Sequence, residues 1–474
     1  MHIFTFITIL ILFLFVGFLA SKQSNNNASD YILANRNVSS LLTALSAAAS
    51  KYSGYMFIGL IGYIYTYGLS AIWIIVGFIL GDLIAWLFVA HKISHITTQT
   101  SAISFASLLS RGDGEEYTQL KKLIAGISLL FLTVYAAAQL SAAGKTLYAI
   151  FDWSVDMGTT LGAVLVLAYC FKGGLRASIW TDALQAIIML IALFLIAYQV
   201  LDITNGLQGF LQNLNTHTPA HLDWGIVRFG SIEAVCLFAL GWIFNGIGTL
   251  GQPHIMVRLM ALSPTANLKH TTVYYFTWSL SFVCLILFTG LSARLFIDPA
   301  AITDTELALP LLAQKILPEV TIGIVIAGIF ASILSTADSQ ILSCATVLSE
   351  DFSLSKSQAA RRIATLTMVS IALLIALFAL SNVFNLVIFA WSALASGLAP
   401  LVIIMALDKR PSEKTAIFML LIGFSAGLVW RYVGLNSIIY EAFSGITSGL
   451  IVYLVNHYYS LLRSSNTHKL KLNK

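Results

Sequence analysis

The chain has 474 residues, of which 58% are hydrophobic and only 10% charged, and its mean hydropathy is +0.86. So few charges cannot cover a water-facing surface, which excludes an ordinary soluble domain and makes lipid the solvent. The small surplus of Lys and Arg (26) over Asp and Glu (21) is no nucleic-acid footprint, and Cys170, Cys236, Cys284 and Cys344 lie in apolar runs without CxxC spacing, reading as small buried hydrophobes.

Crossing roughly 30 Å of hydrocarbon takes about 20 apolar residues. On that scale the sequence predicts about thirteen spans, at 3–20, 41–67, 71–92, 123–150, 157–171, 177–200, 231–257, 272–297, 319–349, 361–380, 384–406, 414–432 and 437–460. The expected fold is therefore an all-α polytopic membrane protein. Span one lacks a basic leader and a small-x-small exit, so it reads as a helix and not as a cleaved signal.

Span two contains Ser46-Ala47-Ala48-Ala49-Ser50-Lys51-Tyr52-Ser53-Gly54, small and hydroxyl residues unlike a lipid-facing helix. Lys51 sits in mid-span, where a charge is costly unless it faces a cavity or a partner, which makes it a functional candidate beside the plainer reading of a structural ion pair. Lys145, near the end of span four, is expected to snorkel to the headgroups. Asp182 opens span six just after Gly173-Gly174-Leu175-Arg176; capping that helix against its macrodipole and binding an ion both fit.

Span seven holds Asn245-Gly246-Ile247-Gly248-Thr249-Leu250-Gly251-Gln252-Pro253-His254. Glycine costs about 1 kcal/mol and proline about 3 kcal/mol in a helix interior, so this stretch is expected to be unwound, as span two is near Ala49 to Gly54. Two broken helices five spans apart mark a transporter built from two inverted five-helix repeats, spans 2–6 (41–200) and 7–11 (231–406), with a peripheral first helix and two peripheral helices plus a tail in 407–474. In span nine, Ser332, Ser335, Thr336, Ser339 and Ser343 share one helix face. Such a stripe suits either helix packing or a hard cation, and Asp338 beside it favours the cation.

An odd span count puts the termini on opposite sides. With the tail inside, the inner segments collect Lys22, Arg36, Lys92, Arg111, Lys121, Lys122, Lys172, Arg176, Arg258, Lys269, Lys356, Arg361, Arg362, Lys409, Arg410, Lys414, Arg463, Lys469, Lys471 and Lys474, and the outer ones keep only Arg228, Arg294, Lys315 and Arg431. That asymmetry predicts an outside N-terminus, an inside C-terminus and a bacterial-type inner-membrane location.

Four strings carry a family likeness: Thr43 to Ala49; Gly173-Gly174 through Trp180-Thr181-Asp182 to Gln185; Gly251-Gln252-Pro253-His254-Ile255 with Arg258-Leu259-Met260-Ala261; and Ser335-Thr336-Ala337-Asp338-Ser339-Gln340. Together they resemble the sodium/solute symporter family, in particular its sodium/proline branch. The resemblance implies sodium as coupling ion, held by the carbonyls of Ala49 and Tyr52 and the hydroxyls of Ser335 and Thr336. It implies a second cation position bordered by Asp182, Asp338 and Ser339. The solute would lie against Ser53, Gly54, Tyr135, Asn245 and Thr249.

There are two departures from the family pattern. Proline-transporting relatives carry an acidic residue where Lys51 stands, so the ammonium would repel sodium or replace it, with Asp182 or Asp338 as its partner. They also place aromatic residues where Asn245 and Thr249 stand, and an apolar ring favours an aromatic pocket. The expectation is thus sodium-coupled uptake of an amino acid, a proline-like compound or a small carboxylate, with a sodium-independent or proton-coupled carrier switched by Lys51 as the alternative. A sensor acting through a partner is the alternative of another class. No HExxH or GxSxG motif suggests an enzyme, and no cofactor, nucleic acid or obligate protein partner is implied, only the solute and the bilayer.

Overall fold

The computed structural model describes residues 1–23, 27–112, 115–352, 357–378 and 382–472. Lys356, Lys474, positions 379–380 of the tenth expected span, and the side chains of Cys170, Lys172 and the tail from Arg463 lie outside the described residues. Among those described, β pairing is confined to two isolated bridges, Val38 with Leu262 and Arg111 with Glu116. Everything else of regular structure is helical.

In chain order, α1 (His2–Lys22) and the short α2 (Ala28–Leu33) precede α3 (Ser40–Lys51) and α4 (Ile61–Tyr67), the two halves of one interrupted helix. Next come α5 (Ile72–Ala85), α6 (His91–Thr100), α7 (Phe105–Leu109), α8 (Thr118–Phe151) and α9 (Val155–Ile203). The connectors α10 (Gly206–His217) and α11 (Ile226–Phe229) lead to α12 (Ile232–Ile247), which passes through a 3-10 turn into α13 (Pro253–Met260). The remainder is α14 (Leu268–Phe296), α15 (Ala308–Ile316), α16 (Glu319–Thr346), α17 (Gln358–Phe378), α18 (Val383–Ala406), α19 (Glu413–Tyr432) and α20 (Ala442–Leu472).

Among the described residues, ten helical runs are long and apolar enough to cross a membrane, Met56–Thr100 counting as one. The thirteen expected are not reached on that measure: α3 has only 12 residues, Val155–Ala168 is apolar but short, and α20 is diluted by Ser, Thr, Asn and His. Large apolar side chains such as Phe4, Phe15, Phe194 and Phe418 face outward, while α16 and α18 are buried along most of their length. A multi-pass membrane protein distributes its residues this way, with bulky apolar groups toward lipid and small ones between helices. Cys236 and Cys284 are exposed on this outer surface, contrary to expectation, and among the described cysteine side chains only Cys344 is buried.

Both expected breaks are present. α3 ends at Lys51, with Tyr52 leaving the helix at φ −84°, ψ 74°. α12 ends before Gly248–Gly251, and extended Gln252 sets Pro253 at the start of α13, where its missing N–H costs no helical bond. Gly174, at φ +53°, splits α9 and seats its backbone against Tyr31. There α2 is clipped down by Asp30, which accepts from Arg176 Nη2 at 2.6 Å and Nε at 3.1 Å.

Contacts between the connecting segments sort into two ends. One carries Lys92–Asp408 (2.8 Å), Asp30–Arg176 and the Gln119 amide donating to Glu413 (2.9 Å). The other carries Met1–Glu319 (2.9 Å), Arg431–Glu441 (2.7 Å) and Lys145. Lys145 does not snorkel: it pairs with Asp304 (2.7 Å) and with nearly buried Glu306 (2.5 Å), whose carboxylate also accepts from the Val383 and Phe384 amides at the start of α18. The 3-10 turn Thr305–Leu307 just before α15, capped by Asp304, brings those carboxylates within reach, so pairing wins over the headgroups.

α5 and α12 approach backbone to backbone. A Cβ on Gly81 would lie 1.9 Å from the Ile243 carbonyl oxygen, and one on Gly246 2.2 Å from that of Phe78. Because neither backbone can yield cheaply, Gly81→Val is expected to destabilise the purified protein by about 1–3 kcal/mol or more. Gly126→Ala, which enters open space, is expected to leave its thermal midpoint unchanged.

Candidate functional site

The interruption of α3 frees carbonyls that a continuous helix would have used, and the serine-rich face of α16 meets them. Ser335 Oγ donates to the Ala49 carbonyl at 3.0 Å, and Thr336 Oγ1 to those of Ala49 and Ser50 at 3.4 and 3.1 Å. These groups are fully buried. Neutral oxygens converging from two helices in a dry interior are the donor type a hard cation takes. Ser50, not singled out in the sequence, contributes its carbonyl here; the Tyr52 residue is buried beside the group, with its phenol against Trp278 and Phe282.

Lys51 follows directly in the chain but its side chain goes elsewhere. Its ammonium lies 2.5 Å from Asp82 Oδ2 on α5 and 4.1 Å from the centroid of Phe78, with both charged side chains fully buried. The same carboxylate oxygen accepts from Tyr275 of α14 at 2.7 Å. The partner is thus neither Asp182 nor Asp338, which were the expected choices. An isolated carboxylate in the apolar run Ile79-Leu80-Gly81-Asp82-Leu83-Ile84 was a signal in its own right, since it has to be paired.

Asp182, Asp338 and Ser339 do come together, but around Arg258. Asp182 Oδ2 accepts from Ser46 (2.6 Å), Ser50 (3.5 Å) and Arg258 Nη2 (3.3 Å), so this carboxylate reaches across to α3 and α13 and does not cap its own helix. Arg258 is fully buried; it also donates to Ser178 at 2.9 Å, to the His254 carbonyl at 2.7 Å, and to Ser339. Asp338 accepts from Ser178 and Ser339, each at 3.1 Å. Arg258 was expected among the loop cations at the basic end; one helical turn after Pro253 it is instead drawn into the core by two carboxylates.

The expected solute residues divide into two groups. Ser53 Oγ lies 3.2 Å from the Tyr135 hydroxyl, and the Gly54 amide donates to Gln139 of α8 at 2.9 Å. The His254 ring stands edge-on to Tyr135, centroids 5.7 Å apart, and both its nitrogens are buried without a hydrogen-bond partner. Asn245 and Thr249 are also buried, with Asn245 Oδ1 and Thr249 Oγ1 unpartnered; they pack toward α18, where Trp391 Nε1 donates to the Asn245 carbonyl at 3.1 Å. Trp391 and Phe78, centroids 5.7 Å apart, supply aromatic surface that α12 itself lacks. Gln139 and Trp391 were missed; a polar amide within Ala136-Ala137-Ala138-Gln139 was a legible signal, whereas Trp391 carried none.

Comparison with known proteins agrees with this architecture. The family model for "Sodium:solute symporter family" matches residues 31–423. The chain is 29% identical to the high-affinity proline transporter PutP of Bacillus subtilis, over 92% of this chain and 94% of that one. It is 30% identical to sodium/proline symporter 2 of Staphylococcus saprophyticus, over 98% and 95%. In fold it resembles the substrate-bound, outward-open state of a Na+-coupled sialic acid symporter, with TM-score 0.79 at 18% identity over 95% of this chain and 96% of that one. On the family model's extent and the near full-length relatives, this chain belongs to the sodium:solute symporter family.

Proposed function

We propose that this protein takes up a small carboxylate-bearing solute together with sodium by alternating access, and that the basic end of the molecule faces the cytoplasm. The observation that carries the reading is the convergence of the Ala49 and Ser50 carbonyls with the Ser335 and Thr336 hydroxyls, while the Lys51 charge is drawn off to Asp82. A lysine neutralised on α5 and α14 does not compete for those oxygens. Sodium then biases the access equilibrium by binding one state better than the other. The Tyr52 carbonyl remains part of the proposed ligand set.

Arg258 holds the second cation position with a resident guanidinium between Asp182 and Ser339, which supports one sodium per solute. The solute would lie against Ser53, Gly54, Tyr135, Asn245 and Thr249, with its carboxylate at the start of the half-helix after the break. Trp391 and Phe78 restore the aromatic surface that Asn245 and Thr249 lack, so an amino acid with an apolar ring is compatible with the pocket. The topology proposed with this reading is an outside N-terminus, an inside C-terminus and repeats over 41–200 and 231–406, with the basic segments retained inside.

Removing one member of the buried pair leaves the other uncompensated. Asp82→Asn and Lys51→Met are each expected to lower stability by about 3–5 kcal/mol, and the double variant to recover most of that loss. Additive losses in thermal unfolding would mean that the two charges do not interact.

Sodium is expected to raise the thermal midpoint of the wild-type protein where potassium does not, following RT ln(1 + [Na+]/Kd), which is about 2.7 kcal/mol at a hundredfold excess over Kd. Ser335→Ala combined with Thr336→Ala should abolish the shift, and uptake into proteoliposomes should rise with sodium with a Hill coefficient of about 1. Uptake that follows pH and ignores sodium would transfer the coupling role to Lys51.

A further inference from the structure

At the basic end, a cleft of about 300 Å³ opens where the end of α7, the start of α8, the end of α18 and the start of α19 meet. Its inner wall is apolar and buried, with Leu109, Leu120 and Leu401. Three cations complete the lining, Arg111, Lys409 and Arg410.

The backbone holds these cations in place. α18 ends in a Schellman turn, in which the Asp408 amide donates to the Met405 carbonyl at 3.0 Å and the Lys409 amide to that of Ile404 at 3.2 Å, with Asp408 left-handed at φ +57°. The reversal brings Lys409 and Arg410 to the cleft, and Arg410 Nη1 donates to the Met405 and Lys409 carbonyls, each at 3.4 Å. Arg111 is fixed by its antiparallel bridge to Glu116, and its Nε is buried without a hydrogen-bond partner.

Three carboxylates on the same segments are committed elsewhere. Asp408 pairs with Lys92 at 2.8 Å, Glu116 with Lys121 at 3.1 Å, and Glu413 Oε1 accepts from the Gln119 and Leu120 amides at 2.9 and 3.3 Å. Among the described residues, none of Arg111, Lys409 and Arg410 is paired with a carboxylate. From the cleft, α8 and α19 run on into the apolar part of the molecule and expose Leu130 and Phe418. An anion that carries acyl chains finds apolar surface there, whereas a free anion gains nothing from it.

We propose that this cleft binds the headgroup of an anionic phospholipid. Arg111 and Arg410 take the phosphodiester oxygens, because a guanidinium fork fits phosphate, and Lys409 adds a point charge at the mouth. Basic pockets between membrane helices on the positively charged side are suited to such headgroups. The bound lipid ties the loop before α8 to the turn between α18 and α19, and it stabilises the folded chain by linkage. The site shares no residue with the sodium cluster, and its test does not depend on transport.

The test is thermal unfolding of the purified full-length protein in a neutral detergent, titrated with dioctanoyl phosphatidylglycerol, dioctanoyl phosphatidylcholine or inorganic phosphate. Phosphatidylglycerol is expected to raise the midpoint saturably, and phosphatidylcholine, whose own ammonium offsets its phosphate, to leave it unchanged. Arg111→Gln combined with Arg410→Gln should weaken phosphatidylglycerol binding about tenfold or more. Lys409→Gln, an exchange on an exposed side chain that leaves the fold intact, should weaken it to a lesser degree and stands in if the double variant does not fold. Lys122→Gln removes an exposed charge near the same end but outside the cleft, and should bind as the wild type does. Equal responses to the two lipids, or equal losses in Lys122→Gln and the cleft variants, overturn the site. A shift of the same size with inorganic phosphate at equal concentration makes the ligand a free anion and overturns the lipid assignment.

Discussion

Inside hydrocarbon, a polar backbone group or a charge has to find its partner within the protein, because no water reaches it. Interrupting a helix there is possible only where another element supplies the missing bonds. α3 is interrupted where the hydroxyl face of α16 and the Gln139 amide of α8 stand ready, and the freed carbonyls and amide are taken up by side chains. α12 is interrupted where Trp391 and the backbone of α18 close around it, with Gln252 donating to the Trp391 carbonyl at 3.0 Å. The two weak points of the fold are thus also the two places where polar groups are concentrated at mid-depth.

The same constraint separates the charges. Lys51 and Asp82 close on each other among α3, α5 and α14, while Asp182, Asp338 and Arg258 close on each other among α9, α16 and α13. Ser50 lies between the two sets, with its hydroxyl turned to Asp182 and Ser339 and its carbonyl to Thr336. A single residue at the break therefore touches both the oxygen cluster and the Arg258 network. Any ion or proton that alters one will be felt by the other through hydrogen bonds of about 3 Å.

Much of this was legible in the sequence. The glycines and proline of span seven and the small residues of span two located both breaks, because the cost of those residues in a helix is local. The stripe of Ser335, Thr336 and Ser339 was legible because helical periodicity is local too. What could not be read was who pairs with whom. The cost of Lys51 in mid-span was plain from its neighbours, but its partner lies on another helix, and only the approach of α5 to α3 selects Asp82 over Asp182. Arg258 and Lys145 misled for one reason: a cation near the end of an apolar run looks the same in sequence whether it turns outward to water or headgroups or inward to a carboxylate.

The Gly54 amide has a consequence of its own. In an unbroken membrane helix, an amide proton is exchanged for deuterium only when several turns open together. This one hangs on the side chain of Gln139, so its release needs a rotamer change on α8 together with water entering the break, and not the unwinding of several turns. Gly54 should therefore lose protection whenever the break opens to water, within a helix whose flanking turns stay silent for far longer. Deuterium uptake at that one peptide group then becomes a clock for the opening of the break itself.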